Sequence, residues 1–399
     1  MKSITELFKI GPGPSSSHTF GPKTACELFL KEYPTADLIE VTLYGSLSLT
    51  GKGHLTDMIC IKTCAPIPCE VHFSSETCTT HPNTMDLFAY ENKKLLGTWR
   101  VYSVGGGAIQ IEGQPVELSK DVYNEKSFDE IRAFCSQKRI GLDQYVDQYE
   151  DIDEHMNLVL DQMLQTIENG ISTRGVLPGK LQLKRIAADL YRRGKHEYSQ
   201  FKKEKLLLMS YAYAAAEENA SGGMTVTSPT MGASGVMPAL VRYYYVDKMY
   251  SREKIIRALK IAGIIGNLFK HNATISGAQG GCQAEIGVAC SMGSAFVAYM
   301  ENLNDDLIAY AAEVGIEHFL GLTCDPVGGY VMIPCIERNA IATLRAMDSS
   351  LLAQEVGYIK PNKVSLDMII HTMNYTGKKI AVELKETSLG GLASVVPLE

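Results

Sequence analysis

The sequence predicts an α+β protein, a small N-terminal α/β domain followed by a mostly α-helical domain. Three observations carry that expectation. Alternating apolar patterns of the kind that make half-buried strands are confined to residues 1 to about 115. Beyond about residue 150 apolar residues recur at helical spacing, and glycine-rich polar loops separate the helices. A chain of 399 residues, 45% apolar and 21% charged, has the size and composition of two or three soluble globular domains.

Taken in order, Ser3-Ile4-Thr5-Glu6 is a capping-box pattern and predicts a short helix through Ile10. The run Gly11-Pro12-Gly13-Pro14-Ser15-Ser16-Ser17-His18-Thr19 predicts a tight polar loop. Pro22 suits the first turn of a second helix ending near Tyr33. Residues 38–49 read as a strand with Ile39, Val41 and Leu43 on one face, ending in a glycine loop, Gly51-Lys52-Gly53-His54-Leu55-Thr56-Asp57. Cys69–Phe73 and residues 98–104 read as further strands, the latter running into Gly105-Gly106-Gly107, and His81-Pro82-Asn83 as a polar turn. Polar residues dominate 112–154, so the domains are expected to be 1–145 and 146–399. Helices are predicted over 158–168, 204–218, 252–269, 283–300 and 336–347. The most apolar window, 286–300, is too short to cross a bilayer comfortably and predicts a buried core helix.

Composition narrows the function classes. A net charge of −7 with no Lys/Arg block argues against nucleic acid as the main partner, and no segment predicts a membrane span. The N-terminus reads as an amphipathic helix and not a signal segment, so the ten cysteines predict reduced thiols in the cytoplasm. No Schiff-base lysine with a phosphate cup is identifiable, and no GxGxxG joins a strand to a helix.

Three cysteines stand apart. Cys282 follows Gly280-Gly281 and opens a helix, Cys324 lies in Leu322-Thr323-Cys324-Asp325-Pro326, and Cys335 follows Pro334 at another helix start. Helix N-termini favour thiolates, the form that ligates metal. Three thiolates from separate loops can hold three irons of a [4Fe–4S] cluster, leaving the fourth as a Lewis acid. Cys26, Cys60, Cys64, Cys69, Cys78, Cys135 and Cys290 read as structural. The run Cys60-x3-Cys64-x4-Cys69 has cluster-like spacing but spans a strand and a Pro turn, and is read the same way.

Among nine histidines, His18 and His54 sit on the polar glycine loops and are the catalytic candidates, with His81 next. His72 reads as structural, and His155, His196, His318 and His371 as solvated, while His271 stays open. The loop Ser15, Ser16, Ser17, His18 and Thr19 offers hydroxyl and backbone donors to the carboxylate of a small zwitterion.

Together these segments resemble the iron–sulfur L-serine dehydratases. The resemblance rests on Gly13-Pro14-Ser15-Ser16-Ser17-His18-Thr19, Gly51-Lys52-Gly53-His54-x-Thr56-Asp57, His81-Pro82-Asn83, Gly105-Gly106-Gly107 and Leu177-Pro178-Gly179. It continues through Thr227-Ser228-Pro229-Thr230-x-Gly232-Ala233-Ser234-Gly235 and Ile275-Ser276-Gly277-Ala278-x-Gly280-Gly281-Cys282-Gln283-x-Glu285. The last pieces are Cys324-Asp325-Pro326-Val327, Pro334-Cys335-x-x-Arg338-Asn339 and Glu386-Thr387-Ser388-x-Gly390-Gly391-Leu392-Ala393. They stand in family order from end to end.

The resemblance implies a β part and an α part fused in one chain, a homodimer, and a [4Fe–4S] cluster on Cys282, Cys324 and Cys335. The implied reaction removes water from L-serine and releases pyruvate and ammonia. His54 is the first choice of base and His18 the second. Ser15, Ser16, Ser17, Thr19, His81, Asn83, Thr227 and Asn272 are the implied substrate contacts. Two places depart from the family's pattern: Gly222-Gly223-Met224 stands for Gly-Gly-Arg, and Thr230-Met231-Gly232 for Thr-Asn-Gly. Some single-chain members end in a cysteine that reaches the cluster; this chain ends Val395-Val396-Pro397-Leu398-Glu399, and Leu398-Glu399 is compatible with a cloning scar. The fourth iron is therefore expected to face water or substrate. Two rivals remain: a related iron–sulfur lyase acting on cysteine or threonine, and a non-catalytic amino-acid sensor with structural metal.

Overall fold

The computed structural model describes residues 1–76, 80–114, 120–387 and 389–396. Cys78 and Leu398-Glu399 lie outside the described residues. The fold is α+β, as the sequence predicts: a five-stranded sheet near the N-terminus, then a largely helical body.

The sheet runs β3 (Cys69–Phe73), β2 (Leu38–Leu43), β4 (Thr84–Glu91), β5 (Lys94–Gly105), β6 (Ala108–Ile111) across its width. Only β2 and β3 are parallel; the other neighbours are antiparallel. Along β2 burial alternates, with Ile39, Val41 and Leu43 inward, the period-2 consequence of the pleat. The helices α1 (Gly21–Glu32) and α3 (Thr56–Cys64) share a core with that face through Ala25, Cys26, Phe29, Cys60 and Cys64. The predicted strand 38–49 breaks in two, because Gly45 (φ +55°) turns the chain into a short helix, α2 (Gly45–Leu49).

The N-terminus differs from its expected helix. Ser3 caps one 3-10 turn, Ile4–Glu6, after which the chain extends into β1 (Ile10–Pro12) and pairs antiparallel with β7 (Met224–Val226). Thr227 drives the change by side-chain competition: its hydroxyl donates to the Leu7 carbonyl (2.5 Å) and accepts from the Lys9 amide (2.8 Å). Met1, Ile4, Leu7 and Phe8, together with Tyr123 to Val146, pack into the core of the helical body.

The helical body comprises α4 (Phe128–Lys138), α5 (Asp153–Ser172), α6 (Ala187–Lys195), α7 (Gln200–Ala220), α8 (Val236–Arg242), α9 (Arg252–Asn272), α10 (Gly277–Gly280), α11 (Ile286–Met300), α12 (Asp305–Glu317), α13 (Cys335–Gly357), α14 (Leu366–Lys379) and α15 (Leu392–Val395). In α11 every residue but Tyr299 is buried, as a helix apolar on all sides requires. It packs against α9, α12 and α13. The loops at the starts of α11 and α13 face the small domain. No helix among the described residues is long and apolar enough to cross a membrane.

Candidate active site

The Ser-rich segment is not a free loop. Ser15 accepts a bond from the His18 amide (3.2 Å) and caps a π-helical turn, Ser16–Phe20, that runs directly into α1. This end capping buries all of Ser15, Ser16, Ser17, His18 and Thr19, so their hydroxyls must be spent inside the protein. Ser16 accepts from the Met231 amide across the domain junction (2.8 Å). Thr19 donates to the His54 carbonyl (2.8 Å), which ties the two glycine loops together.

His18 and His54 stack, with ring centroids 4.3 Å apart. The His54 Nδ1 lies 2.9 Å from the Thr50 carbonyl. A carbonyl only accepts, so Nδ1 carries the proton and Nε2 keeps its lone pair. On His18, Nε2 meets the Ser46 and Thr50 hydroxyls at 3.1 and 2.9 Å. Those hydroxyls already donate to the Glu386 and Ser46 carbonyls, so Nε2 is the donor here. The Ser17 hydroxyl donates to Glu386 Oε1 (3.1 Å) and lies 2.9 Å from His18 Nδ1. Burial holds His18 down at about 4. Burial, then the neighbouring His18, holds His54 well below the ordinary imidazole range. Both rings are therefore neutral.

Glu386 arrives from the far end of the chain. A backbone ladder brings it in: Cys324 donates to the Leu384 carbonyl (2.8 Å) and Glu386 donates to the Cys324 carbonyl (2.6 Å). Further along, Gly391 (φ +61°) sits where a Cβ would meet Asp325 Oδ2 at 2.0 Å, and the Leu392 amide bonds that same oxygen (2.7 Å). Burial pushes the Glu386 carboxyl up to about 7, and its Oε2 has no partner among the described residues. The ligand atoms of His18, His54 and Glu386 all lie within 4.8 Å of one another.

Cys282, Cys324 and Cys335 line one small cavity together with Pro14, Ser15, His54, Gly232, Glu285 and Glu386. Cys282 opens a 3-10 turn after Gly281, and Cys335 is the first residue of α13. The neighbouring Cys324, then the Arg338 guanidinium, lowers the Cys282 thiol, while the Cys324 S–H donates to Glu285 Oε2. Burial pushes Cys335 up. Burial, then the Glu386 charge, pushes Glu285 up to about 8, and Cys324 Sγ lies 3.9 Å from its Oε2. At about 20 Å³ the cavity holds little more than one water, so a larger guest must part the loops that close it. The small domain reaches these loops closely: a Cβ on Gly53 would sit 2.6 Å from the Gly329 carbonyl.

Other expected contacts lie outside the cavity lining. His81 accepts from the Asn83 amide (3.0 Å) in a turn whose Pro82 carbonyl accepts from Ser46; Asn83 is buried, with no partner for Oδ1 among the described residues. Thr227 is engaged with the N-terminal strand, and Asn272 is exposed, donating to the Lys126 carbonyl (2.8 Å). Conversely, the sequence reading named no role for Glu285, Arg338 or Glu386, although each stands in a segment that carries the resemblance. Ser46 and Thr50 carried no signal, since the strand expected there hides their i,i+4 pairing toward His18.

Residues 101–393 match the serine dehydratase alpha chain family and residues 3–65 the serine dehydratase beta chain family. L-serine dehydratase 2 of Escherichia coli is 36% identical over 98% of both chains. An L-serine dehydratase of Haemophilus influenzae is 37% identical over 98% of this chain and 99% of its own. One from Helicobacter pylori is 38% identical over 99% of each. Full-length similarity at this level, with both family segments in order on one polypeptide, means that the chain belongs to the serine dehydratase family, its beta-like and alpha-like parts fused.

Proposed function

We propose that this protein is a cytoplasmic L-serine ammonia-lyase that removes water from L-serine and yields pyruvate and ammonia. The observation that carries the reading is the single cavity where His54 and Ser15, from before residue 60, meet three thiols from beyond residue 280. Shared clefts between domains are common ligand sites. Nine described cysteines are free thiols, which supports a reducing compartment.

The residues present fit an iron–sulfur group. Three soft donors converge, Arg338 offers a compensating charge to Cys282, and the unpartnered Glu386 oxygen belongs to the same cavity wall. Cys282, Cys324 and Cys335 would hold a [4Fe–4S] cluster, which when bound supplies Lewis acidity toward the substrate's oxygens without pyridoxal phosphate.

The protein's own groups account for binding and proton movement. Ser15, which lines the cavity, orients the substrate carboxylate, and the turn behind it holds Ser15 in place. His54 Nε2, neutral and with its tautomer fixed through Thr50, takes the α-proton. Ser17 donates to Glu386, His18 Nε2 donates to the Ser46 and Thr50 hydroxyls, and the His18 ring holds the His54 ring in its stack. The enamine left by loss of water tautomerises and hydrolyses to the two products.

The test is anaerobic iron and sulfide analysis, with pyruvate or 2-oxobutanoate formation measured side by side on serine, threonine and cysteine. Iron and labile sulfide with serine turnover supports the proposal. Zinc without sulfide, and no turnover, returns the sensor reading; preference for threonine or cysteine returns the neighbouring lyase. Light scattering reads the expected homodimer.

A further inference from the structure

L-serine carries an ammonium group as well as a carboxylate and a hydroxyl, and no residue described so far receives it. An ammonium taken out of water must be met by acceptors. Among the described residues no Lys or Arg lines the cavity; its two carboxyls belong to Glu285 and Glu386. Glu285 already faces the Cys324 thiol, 3.9 Å from its Oε2. Glu386 is only 5% exposed, and its two oxygens are used unequally. Oε1 accepts from the Ser17 hydroxyl (3.1 Å) and lies 3.5 Å from His18 Nδ1. Oε2 is buried with no partner among the described residues. The backbone of this residue is held on both sides. Its amide donates to the Cys324 carbonyl (2.6 Å), and its carbonyl accepts from the Ser46 hydroxyl (2.9 Å). Between those two bonds Glu386 has φ +55°, a left-handed conformation that few non-glycine residues adopt.

An orphaned buried oxygen and a left-handed backbone both cost stability, and such features persist where the surrounding structure enforces them and function uses them. Here they coincide on one side chain in the cavity wall. We propose that Glu386 Oε2 receives the α-ammonium of the substrate. The inference rests on the L-serine reading above, and adds to it the group that selects an α-amino acid over other small carboxylates. Its geometry agrees with the choice of His54 as base. In an amino acid the α-hydrogen and the nitrogen are bonded to the same carbon. The group that takes the one and the group that holds the other must therefore stand a few ångströms apart. The ligand atoms of His18, His54 and Glu386 lie within 4.8 Å of one another. His54 Nε2 keeps its lone pair for the α-proton, and Ser17 occupies Glu386 Oε1, which leaves Oε2 to the guest. A bond from an ammonium to a carboxylate is about twice as strong as one between neutral groups. A guest without the ammonium leaves the oxygen orphaned, which is how a polar subsite rejects an analogue.

The test compares L-alanine with propanoate, which differ by the ammonium and have no hydroxyl to lose, by titration calorimetry on the iron-loaded protein. The wild type should bind L-alanine about 10- to 100-fold more tightly, the usual worth of a hydrogen bond to a charged group. Glu386→Gln keeps the side chain's shape and an oxygen for Ser17, but sets an amide N–H₂ where Oε2 stood. In that variant the preference should fall to about threefold or less, with propanoate affinity unchanged within the same factor. Glu386→Asp, which keeps the carboxylate on a shorter arm, should retain part of the preference. With L-serine, Glu386→Gln should raise KM and change kcat less, because the contact is made in the ground state and the transition state alike. Equal binding of the two ligands by the wild type, or an undiminished preference in Glu386→Gln, would overturn the proposal. So would an equal loss of both ligands, or a loss of iron, in the Gln and Asp variants, since a structural role predicts those. The binding comparison needs no turnover. Pyruvate formation without the ammonium preference therefore sinks this proposal alone, and the preference without pyruvate formation sinks the lyase reading alone.

Discussion

The two thiol sets of this protein are built from the same atoms and set in opposite surroundings. Cys282 and Cys335 open a 3-10 turn and α13, and Cys324 sits on an isolated bridge to Lys385, all beside Arg338, Glu285, Glu386 and His54. Cys26, Cys60, Cys64 and Cys69 stand within helices and at a strand, among Ala25, Phe29, Ile39 and Val41. The first set faces a cavity with a carboxylate oxygen that has no partner among the described residues. The second faces only the packed core and the sheet edge. Sulfur alone does not distinguish the two sets. The polar groups beside Cys282, Cys324 and Cys335 do.

The largest effect should separate the sets outright. Cys324→Ser should abolish both iron retention and pyruvate formation, while Cys290→Ala, in α11 and outside both sets, keeps both. Equal iron in the two variants would erase the distinction. Next, His54→Ala should lower kcat by roughly 10²–10⁴-fold, the usual worth of a general base, with the iron spectrum intact. A loss of iron in this variant would make His54 a structural support of the metal side.

A third prediction concerns pH. His18 is held down at about 4 in the folded protein, against about 6.5 when unfolded. Between those values the unfolded chain binds more protons, so stability is present above pH 6.5 and is lost as pH falls toward 4. The difference of about 2.5 units corresponds to at most ~3 kcal/mol. Urea midpoints of the wild type should therefore fall over that window more steeply than those of His18→Asn. Parallel curves would mean that the histidine pair does not make the catalytic region acid-labile. The smallest effect should come from Gly53→Ala. Its Cβ would press on the Gly329 backbone at 2.6 Å, and overpacking of this kind costs roughly 1–3 kcal/mol. The expected signature is partly lowered turnover with the helical body's own stability unchanged, measured by activity and denaturation together.

Local patterns in the sequence determined a good part of this protein. The inward face of β2 followed from Ile39, Val41 and Leu43, because pleating has period 2. The buried α11 followed from an apolar run too short for a membrane. The three separated cysteines and two histidine loops followed from glycine and helix-start chemistry, read with the resemblance. Tertiary structure alone decided the rest. The capping box became a single turn because Thr227, more than two hundred residues away, takes the backbone groups of Leu7 and Lys9. The polar loop became a capped π turn because Ser16 and Thr19 find partners in Met231 and His54. Glu386 entered the site by pairing its backbone with Cys324, and Cys26 joined the small domain's thiols by helix packing on a sheet. Periodicity and spacing report only neighbours along the chain. Contacts between distant segments are set by which buried donors and acceptors must find one another once the cores close, and that is known only when the chain is folded.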